Sequence, residues 1–202
     1  MSELAMFPLG SVLLPYMPLP LRVFEERYLQ MLAQILQVEP SEFGVVLIER
    51  GQEVGGGEKR MSLGTIAQIV QLEPSEVGVL MIAQGARRIR ITEWLDDDPF
   101  PRAEIEELPE LVWVDELAGL RQTAEKAVRR VLARASEWEE QTWSAQVELS
   151  DDPMEATWQL AGVAPLGPLD QLVLLSATST EELLTELIRL CTEFEETLWL
   201  PE

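Results

Sequence analysis

The residue types that usually perform acid–base and nucleophilic chemistry are sparse in this chain of 202 residues. It has no histidine, which removes the usual general base, the Ser–His and Cys–His nucleophile pairs and every histidine-ligated metal site. A Ser–Lys pair would need Lys59 or Lys126, and neither lysine lies in a recognisable nucleophile motif. The 36 acidic residues could supply paired carboxylates, but their abundance alone does not define a site. A hydrolase that uses paired carboxylates therefore ranks last among the candidate functions. The sequence therefore predicts a protein that is not an enzyme.

Three further segments have features of ligand sites, and each also has a structural explanation. Gly51 and Gly56 have the spacing of a phosphate-binding P-loop, but Gly57 stands at the position of the essential lysine. The run Asp96–Asp98 offers hard oxygen ligands for Ca²⁺, yet no acidic residue follows at EF-hand spacing, and a turn before proline explains the run equally. Cys191 falls among apolar residues of a helical pattern, which favours an inert buried thiol. We therefore expect no metal and no cofactor.

Apolar, aromatic and basic residues supply the candidates for binding a polypeptide. The predicted peptide-binding set is Leu14, Tyr16, Met17, Leu19, Arg88, Arg90, Trp138 and Trp143. The first four lie between prolines, where a loop can present them to an extended peptide or fold them back into the core. The two arginines share one face of a strand, where they can grip a peptide carboxylate or pair with nearby acids. The two tryptophans follow a long helix, either partly exposed or closing an interface between the two halves of the chain.

Charge and composition exclude several classes of partner. The chain carries 15 basic and 36 acidic residues, a net charge of −21, which repels nucleic acid and anionic lipid. The longest uncharged stretch, Met6–Leu21, is interrupted by prolines and a glycine, so it suits neither a transmembrane helix nor a signal peptide. With a single cysteine, no internal disulfide can form. We expect a cytoplasmic protein that binds neither nucleic acid nor membranes.

Hydrophobic periodicity divides the chain into a β-rich first half and a helical second half. Prolines at positions 8, 15, 18 and 20 predict an extended N-terminal segment, and the pattern from Phe24 predicts an amphipathic helix. Alternating patterns then predict strands over 43–50, 61–73, 77–85, 86–95 and 102–108. Beyond position 111 the apolar spacing becomes helical, with helix N-caps at Asp152 and Ser179. We place a domain boundary near Pro109, giving a β domain over 1–110 and a helical bundle over 111–202.

Four segments of the first half, read in order, resemble the N-terminal substrate-binding domain of Lon protease. The most specific is PLRVFEERY at 20–28, and FGVVLIER at 43–50, LGT at 63–65 and QGARRIRI at 84–91 follow in the expected order. The second half, especially DDPMEATWQLAGVAPLGPLDQLVLL, is similar to the helical bundle of the same family. The resemblance implies an α+β fold with a curved, barrel-like, PUA-like and mostly antiparallel β domain. One helix packs on that domain, and a C-terminal α-helical bundle follows.

The same resemblance implies recognition of polypeptides. In Lon the domain precedes an ATPase and a protease and is implicated in recognising unfolded or tagged polypeptides; this chain lacks both catalytic parts, so we expect a stand-alone module. The working hypothesis is a non-enzymatic protein that binds unfolded or extended polypeptides through an apolar groove, in protein quality control. The alternative is an adaptor or assembly subunit that docks onto one folded partner, such as a protease or chaperone, through its acidic helical half.

Overall fold

The computed structural model describes residues 2–50, 59–137 and 142–197. The chain divides into two compact units, Met1–Glu110 and Leu111–Glu202. Among the described residues, the first unit holds six strands and one α-helix, and the second holds four α-helices and one turn of 3-10 helix. The protein therefore has the mixed α+β composition that the sequence predicts.

The described strands of the first unit form one six-stranded sheet. Their bounds are β1 Ser2–Leu9, β2 Pro18–Val23, β3 Glu42–Arg50, β4 Lys59–Pro74, β5 Val79–Trp94 and β6 Arg102–Glu107. The strand order is β2-β5-β4-β3-β1-β6, and β5 also pairs with β6. All pairings are antiparallel except that of β1 with β3. The two segments predicted at 77–85 and 86–95 are one continuous strand, β5.

The sheet is not the barrel that the resemblance implies. Strand β5 pairs with β2 and β4 over its first part and with β6 over its last residues. Among the described residues, however, β2 pairs with β5 alone, so it remains an edge strand. Pro18 and Pro20 lie on this strand, and a proline has no backbone N–H to offer a second neighbour. An edge strand of this composition leaves the sheet open at β2.

The turn between β4 and β5 depends on one glycine. Gly78 has a φ of +83°, a left-handed conformation that residues with a Cβ avoid. The backbone N–H of Ser75 donates to the carbonyl oxygen of Gly78 at 3.1 Å, which closes the turn. A Cβ atom at position 78 would lie 2.0 Å from the carbonyl oxygen of Val23. The glycine therefore allows the hairpin tip to lie against the end of β2.

One helix, α1 (Glu26–Ile35), packs against the sheet through Tyr28, Met31 and Leu32, all buried. The Tyr28 ring stacks on Phe7 of β1 with 4.0 Å between ring centroids. The helix begins two residues later than the sequence pattern suggests, because Glu25 has extended backbone angles. A cluster of buried apolar residues forms the centre of the sheet: Met6, Val46, Ile66, Ile89, Ile91, Ala103 and Ile105. The core of the first unit is thus built by the strands and capped by one helix.

The helices of the second unit are α2 Ala118–Ala135, α3 Pro153–Val163, α4 Pro168–Leu175 and α5 Thr180–Thr197. Helices α2 and α5 pack along their buried apolar stripes. The Arg130 guanidinium of α2 donates to both carboxylate oxygens of Glu195 on α5, at 2.6 and 2.9 Å. In the part of the chain that the structure describes, no helix combines the length and apolarity needed to cross a membrane.

Both predicted helix caps are confirmed in the second unit. The Asp152 carboxylate accepts hydrogen bonds from the backbone N–H groups of Met154 and Glu155, each at 2.9 Å. The Ser179 hydroxyl accepts one from the backbone N–H of Glu182 at 3.1 Å. These bonds satisfy N–H groups that have no partner within the first turn of a helix. The starts of α3 and α5 are therefore set by local side chains.

Candidate functional site

An open apolar groove of about 300 Å³ lies between α1 and the ends of β4 and β5 that meet at the hairpin turn. We call it the helix–hairpin groove. Its lining residues are Leu29, Leu32, Ala33, Leu36, Leu72, Glu73, Pro74 and Val79. Glu73 is the one charged residue of this lining, and its carboxylate accepts a hydrogen bond from Gln71 Nε2 at 2.7 Å. The groove is therefore suited to an uncharged apolar side chain.

The groove exists because α1 carries more apolar residues than the core can cover. The core of the first unit buries Tyr28, Met31 and Leu32. The apolar stripe of the helix extends beyond these residues to Leu29 and Leu36. Leu36 follows the last helical residue and is 42% exposed. The ends of β4 and β5 supply the apolar residues Leu72, Pro74 and Val79 to the other side of the groove. The surplus apolar surface of the helix thus faces a strip of apolar strand residues with room between them.

The opposite face of the same strands is also apolar. Leu80 and Ile82 of β5 are 44% and 37% exposed, and their partners on β2 are Arg22 and Pro20. We call Pro20, Leu80 and Ile82 the outer strand face. Contiguous exposed apolar residues rimmed by polar ones commonly mark interaction surfaces. The hairpin therefore carries apolar surface on both of its faces.

The four predicted binding residues near the N-terminus lie mostly inside the first unit. Leu14 and Met17 are 2% and 7% exposed, while Tyr16 and Leu19 are half-buried. The backbone N–H of Tyr16 donates to the carbonyl oxygen of Gly85 at 2.7 Å, and the Gly85 N–H donates to that of Met17 at 2.9 Å. A Cβ at position 85 would lie 2.1 Å from the carbonyl oxygen of Leu14. The loop is therefore fastened to β5, with Leu14 and Met17 in the core.

The predicted arginines have different surroundings. Arg88 is 6% exposed, and its Nη2 donates to the carbonyl oxygen of Pro109 at 2.8 Å. Burial lowers the pKa of Arg88 because it penalises the charged guanidinium. Arg90 is exposed on the same strand. The neighbouring Arg87 donates to the Glu42 carboxylate at 2.8 Å, and this hydrogen bond raises the pKa of Arg87.

The predicted tryptophans give little further support to a single site. Trp138 lies outside the described residues. Trp143 is half-buried in the second unit, in a segment that Arg129 holds through Nη1 hydrogen bonds to the carbonyl oxygens of Ala145 and Val147, at 2.7 and 3.2 Å. The predicted set is thus distributed over the N-terminal loop, two strands and the second unit.

The segments with features of ligand sites have structural partners where they are described. Asp97 pairs with Arg60, whose Nη1 lies 3.1 Å from Oδ1. Burial raises the pKa of the Cys191 thiol to about 12, so the reactive thiolate is scarce near neutral pH. The glycine-rich segment 51–58 lies outside the described residues. Across residues 2–50, 59–137 and 142–197, no group of three or more acidic or cysteine side chains is placed to hold a metal ion.

The sequence interpretation missed the helix–hairpin groove, although a signal for it was present. The hydrophobic pattern of the sequence places Leu29 and Leu36 on the same apolar stripe of α1 as Tyr28 and Leu32. That stripe is wider than a single packed face requires. A surplus of apolar residues on a short helix beside a long hairpin predicts either a deeper core or an open groove. The structure contains the groove.

Comparisons with known proteins agree on the fold. The family model of the ATP-dependent protease La (LON) substrate-binding domain matches residues 3–193. The chain is similar to the solved structure of a Lon N-terminal domain protein from Xanthomonas campestris, with 25% identity, a TM-score of 0.65 and coverage of 100% of both chains. It is also similar to the N-terminal domain of Mycobacterium avium complex Lon protease, with 21% identity, a TM-score of 0.65 and coverage of 95% of this chain and 99% of that one. No curated protein matches the chain.

Proposed function

Because the chain belongs to the family of ATP-dependent protease La (LON) substrate-binding domains, we propose that it recognises polypeptides through the helix–hairpin groove. The observation that carries this proposal is an open cavity of about 300 Å³ whose lining includes one charged residue. Ligand sites are typically concave and mostly apolar, with few polar groups. The proposed activity is binding without catalysis.

The strength of the interaction follows from the apolar area that a polypeptide can bury. A leucine-sized side chain gains about 1.5–3 kcal/mol when it is fully buried. A dissociation constant near 1 μM corresponds to about −8 kcal/mol, so one side chain in the groove is not sufficient. The outer strand face offers further apolar contacts on β2 and the hairpin, and so does Val77 at the turn, which is 59% exposed. We expect weak, micromolar binding that depends on several apolar residues of the ligand.

Backbone hydrogen bonding contributes less in this proposal than side-chain burial does. Strand β2 is the edge to which an extended peptide would add, and it contains Pro18 and Pro20. Neither proline can donate a hydrogen bond, so an added strand would receive fewer bonds than at an ordinary edge. Side-chain burial on the hairpin therefore supplies most of the proposed affinity.

The proposed setting is protein quality control in the cytoplasm. Unfolded and nascent polypeptides expose the apolar side chains that folded proteins bury. A groove that binds apolar side chains and has few polar groups to satisfy would bind unfolded polypeptides in preference to folded proteins. It would not require a defined sequence in the polypeptide. The chain's single cysteine, Cys191, is buried, in keeping with a protein that does not depend on disulfide bonds.

Binding to a permanently unfolded model protein tests the proposal. Fluorescence anisotropy would compare labelled reduced, carboxymethylated lactalbumin with native lactalbumin. The test variant is Leu36→Asp in the groove, and the matched control is Leu169→Asp on α4, since these leucines are 42% and 65% exposed. We expect saturable binding of the unfolded form alone, weakened about fivefold or more by Leu36→Asp and unchanged by the control. Absence of saturable binding by the folded wild-type chain would overturn the proposal.

One observation favours the adaptor as a second candidate. Helix α4 exposes Leu169 and Val173, which lie four residues apart and therefore on one helix face. Such a pair can dock into the apolar groove of a folded partner. Crosslinking and affinity purification separate the candidates. An adaptor should retain one stoichiometric partner that Leu169→Asp releases, whereas a polypeptide receptor should retain many unrelated chains that Leu36→Asp releases.

A further inference from the structure

A second groove, of about 330 Å³, is formed by other residues of α1 together with the first residues of β1 and β3. Its apolar lining residues are Leu4, Ala5, Ile35, Val38, Pro40 and Phe100. Its charged lining residues are Glu3, Glu39, Glu42 and Arg102. We call it the acidic groove, because its lining contains three carboxylates and one guanidinium. Unlike the helix–hairpin groove, it combines an apolar surface with a strong bias of charge.

The carboxylates of the acidic groove are not equally engaged. Glu3 accepts a hydrogen bond from Arg102 Nη1 at 2.9 Å, and Glu42 is held by Arg87. Glu39 is exposed, and it forms no ion pair with any residue in the described part of the chain. One carboxylate at the rim is thus available to a ligand without breaking an existing pair.

The end of α1 reinforces the negative potential at the same place. Gln34 and Ile35 of its last turn line the groove, and that turn contains no basic residue. The carbonyl groups at a helix C-terminus carry a partial negative charge that attracts cations. This contribution is independent of the glutamate side chains. Both features favour a positively charged ligand.

The apolar lining decides which kind of cation fits. A bare metal ion such as Ca²⁺ needs six to eight oxygen ligands in a closed shell, whereas this groove presents separate carboxylates, two of them already paired. Lysine and arginine side chains combine an apolar stem with a charged end, and they bury the stem while the end stays near water. Val38, 65% exposed, and Ile35 offer surface for such a stem.

We propose that the acidic groove binds a lysine or arginine side chain of the recognised polypeptide, with its charged end at Glu39. This inference rests on the proposed function and adds a substrate class to it. The favoured segments carry a basic residue close to apolar ones. The net charge of −21 also steers basic segments toward the protein at low salt, so the local contact must be separated from that general attraction.

Two labelled peptides test the inference against wild-type protein. Both are apolar dodecamers that differ at one position, where one has lysine and the other glutamine. The protein variants are Glu39→Gln and the matched control Glu106→Gln, which removes the same charge from an exposed position on β6. We expect Glu39→Gln to weaken binding of the lysine peptide about three- to fivefold and to leave the glutamine peptide unchanged. Glu106→Gln should affect neither peptide.

The outcomes separate the two proposals. If neither peptide binds the folded wild-type chain, the proposed function fails and this inference falls with it. If both peptides bind equally well and Glu39→Gln changes nothing, the inference is overturned while the proposed function stands. If Glu39→Gln and Glu106→Gln lose equal affinity for the lysine peptide, the inference is also overturned, because the loss would then reflect the protein's net charge and not a contact at Glu39.

Discussion

Replacing Gly78 by alanine should destabilise the hairpin that forms the helix–hairpin groove. The backbone at this position has a φ of +83°. The new Cβ would lie 2.0 Å from the carbonyl oxygen of Val23 and 2.9 Å from the Cα of Phe24. Both obstructing atoms belong to the backbone, so no side-chain rotation can relieve the contact. Either the hairpin tip or the end of β2 must move.

Two costs add in this variant. An alanine in a left-handed conformation costs about 1–2 kcal/mol, and forcing packed backbone apart typically costs about 1–3 kcal/mol. We therefore expect the free energy of unfolding of the first unit to fall by about 2–5 kcal/mol. The matched control is Gly119→Ala at the start of α2, where an added Cβ meets nothing within 4 Å. That variant should stabilise the second unit by about 0.5–1 kcal/mol, because alanine favours a helix.

Urea unfolding followed by circular dichroism measures the overall change, and hydrogen exchange assigns it to one unit. In Gly78→Ala, peptides that span 70–84 should lose protection while those from α5 do not. Polypeptide binding should weaken as well, since Pro74 and Val79 flank the turn and line the groove. A change in unfolding free energy below about 0.5 kcal/mol would refute this account of the turn.

Four further predictions concern local features of both units. Ala33→Phe, at an exposed position lining the groove, should fill part of it and weaken polypeptide binding in the anisotropy assay while the melting temperature stays unchanged. Asp152→Ala should lower the urea stability of the second unit by about 1 kcal/mol, and Asp152→Asn should recover most of that loss. Cys191, with its pKa near 12, should react with a thiol reagent at pH 8 only after unfolding; prompt labelling of the native protein would contradict its burial. The hydrogen bonds from Arg130 lower the pKa of Glu195 from its ordinary value of 4.5. The ionised Glu195 carboxylate therefore stabilises the fold fully above pH 4.5, and this stabilisation is lost as the pH falls through the lowered pKa. The stability difference between wild type and Glu195→Gln should therefore shrink on acidification, and a constant difference would argue against the ion pair.

Local sequence signals were sufficient for most of the secondary structure. Asp152 and Ser179 mark helix starts because a capping side chain bonds to N–H groups only two or three residues away. The strand patterns were readable because alternation reflects one buried and one exposed face. The start of α1 differed by two residues because the extended conformation of Glu25 leaves no trace in the hydrophobic pattern.

The candidate binding residues were harder to predict, since exposure depends on packing between distant segments. The position of Leu14 and Met17 between prolines is compatible with exposure or with burial, and only the backbone hydrogen bonds to Gly85, which hold their loop on β5, decide for burial. Gly85 itself was a usable signal, because a glycine within a strand often marks the close approach of another backbone. Leu29 and Leu36 looked like core residues, yet together they line an open groove.

The chain's composition and periodicity determine its α+β fold class and the position of most helices and strands, and they exclude chemistry that needs histidine. Each of these depends on residue types or on neighbours within a few positions. Tertiary structure alone decided which apolar residues remain exposed. That outcome depends on how α1 sits on the β4–β5 hairpin, and residues more than 35 positions apart, such as Leu36 and Leu72, meet at one groove. An apolar side chain contributes the same transfer free energy whether a neighbouring segment or a bound polypeptide covers it. Its place in the fold, not its chemistry, therefore determines whether it serves stability or recognition.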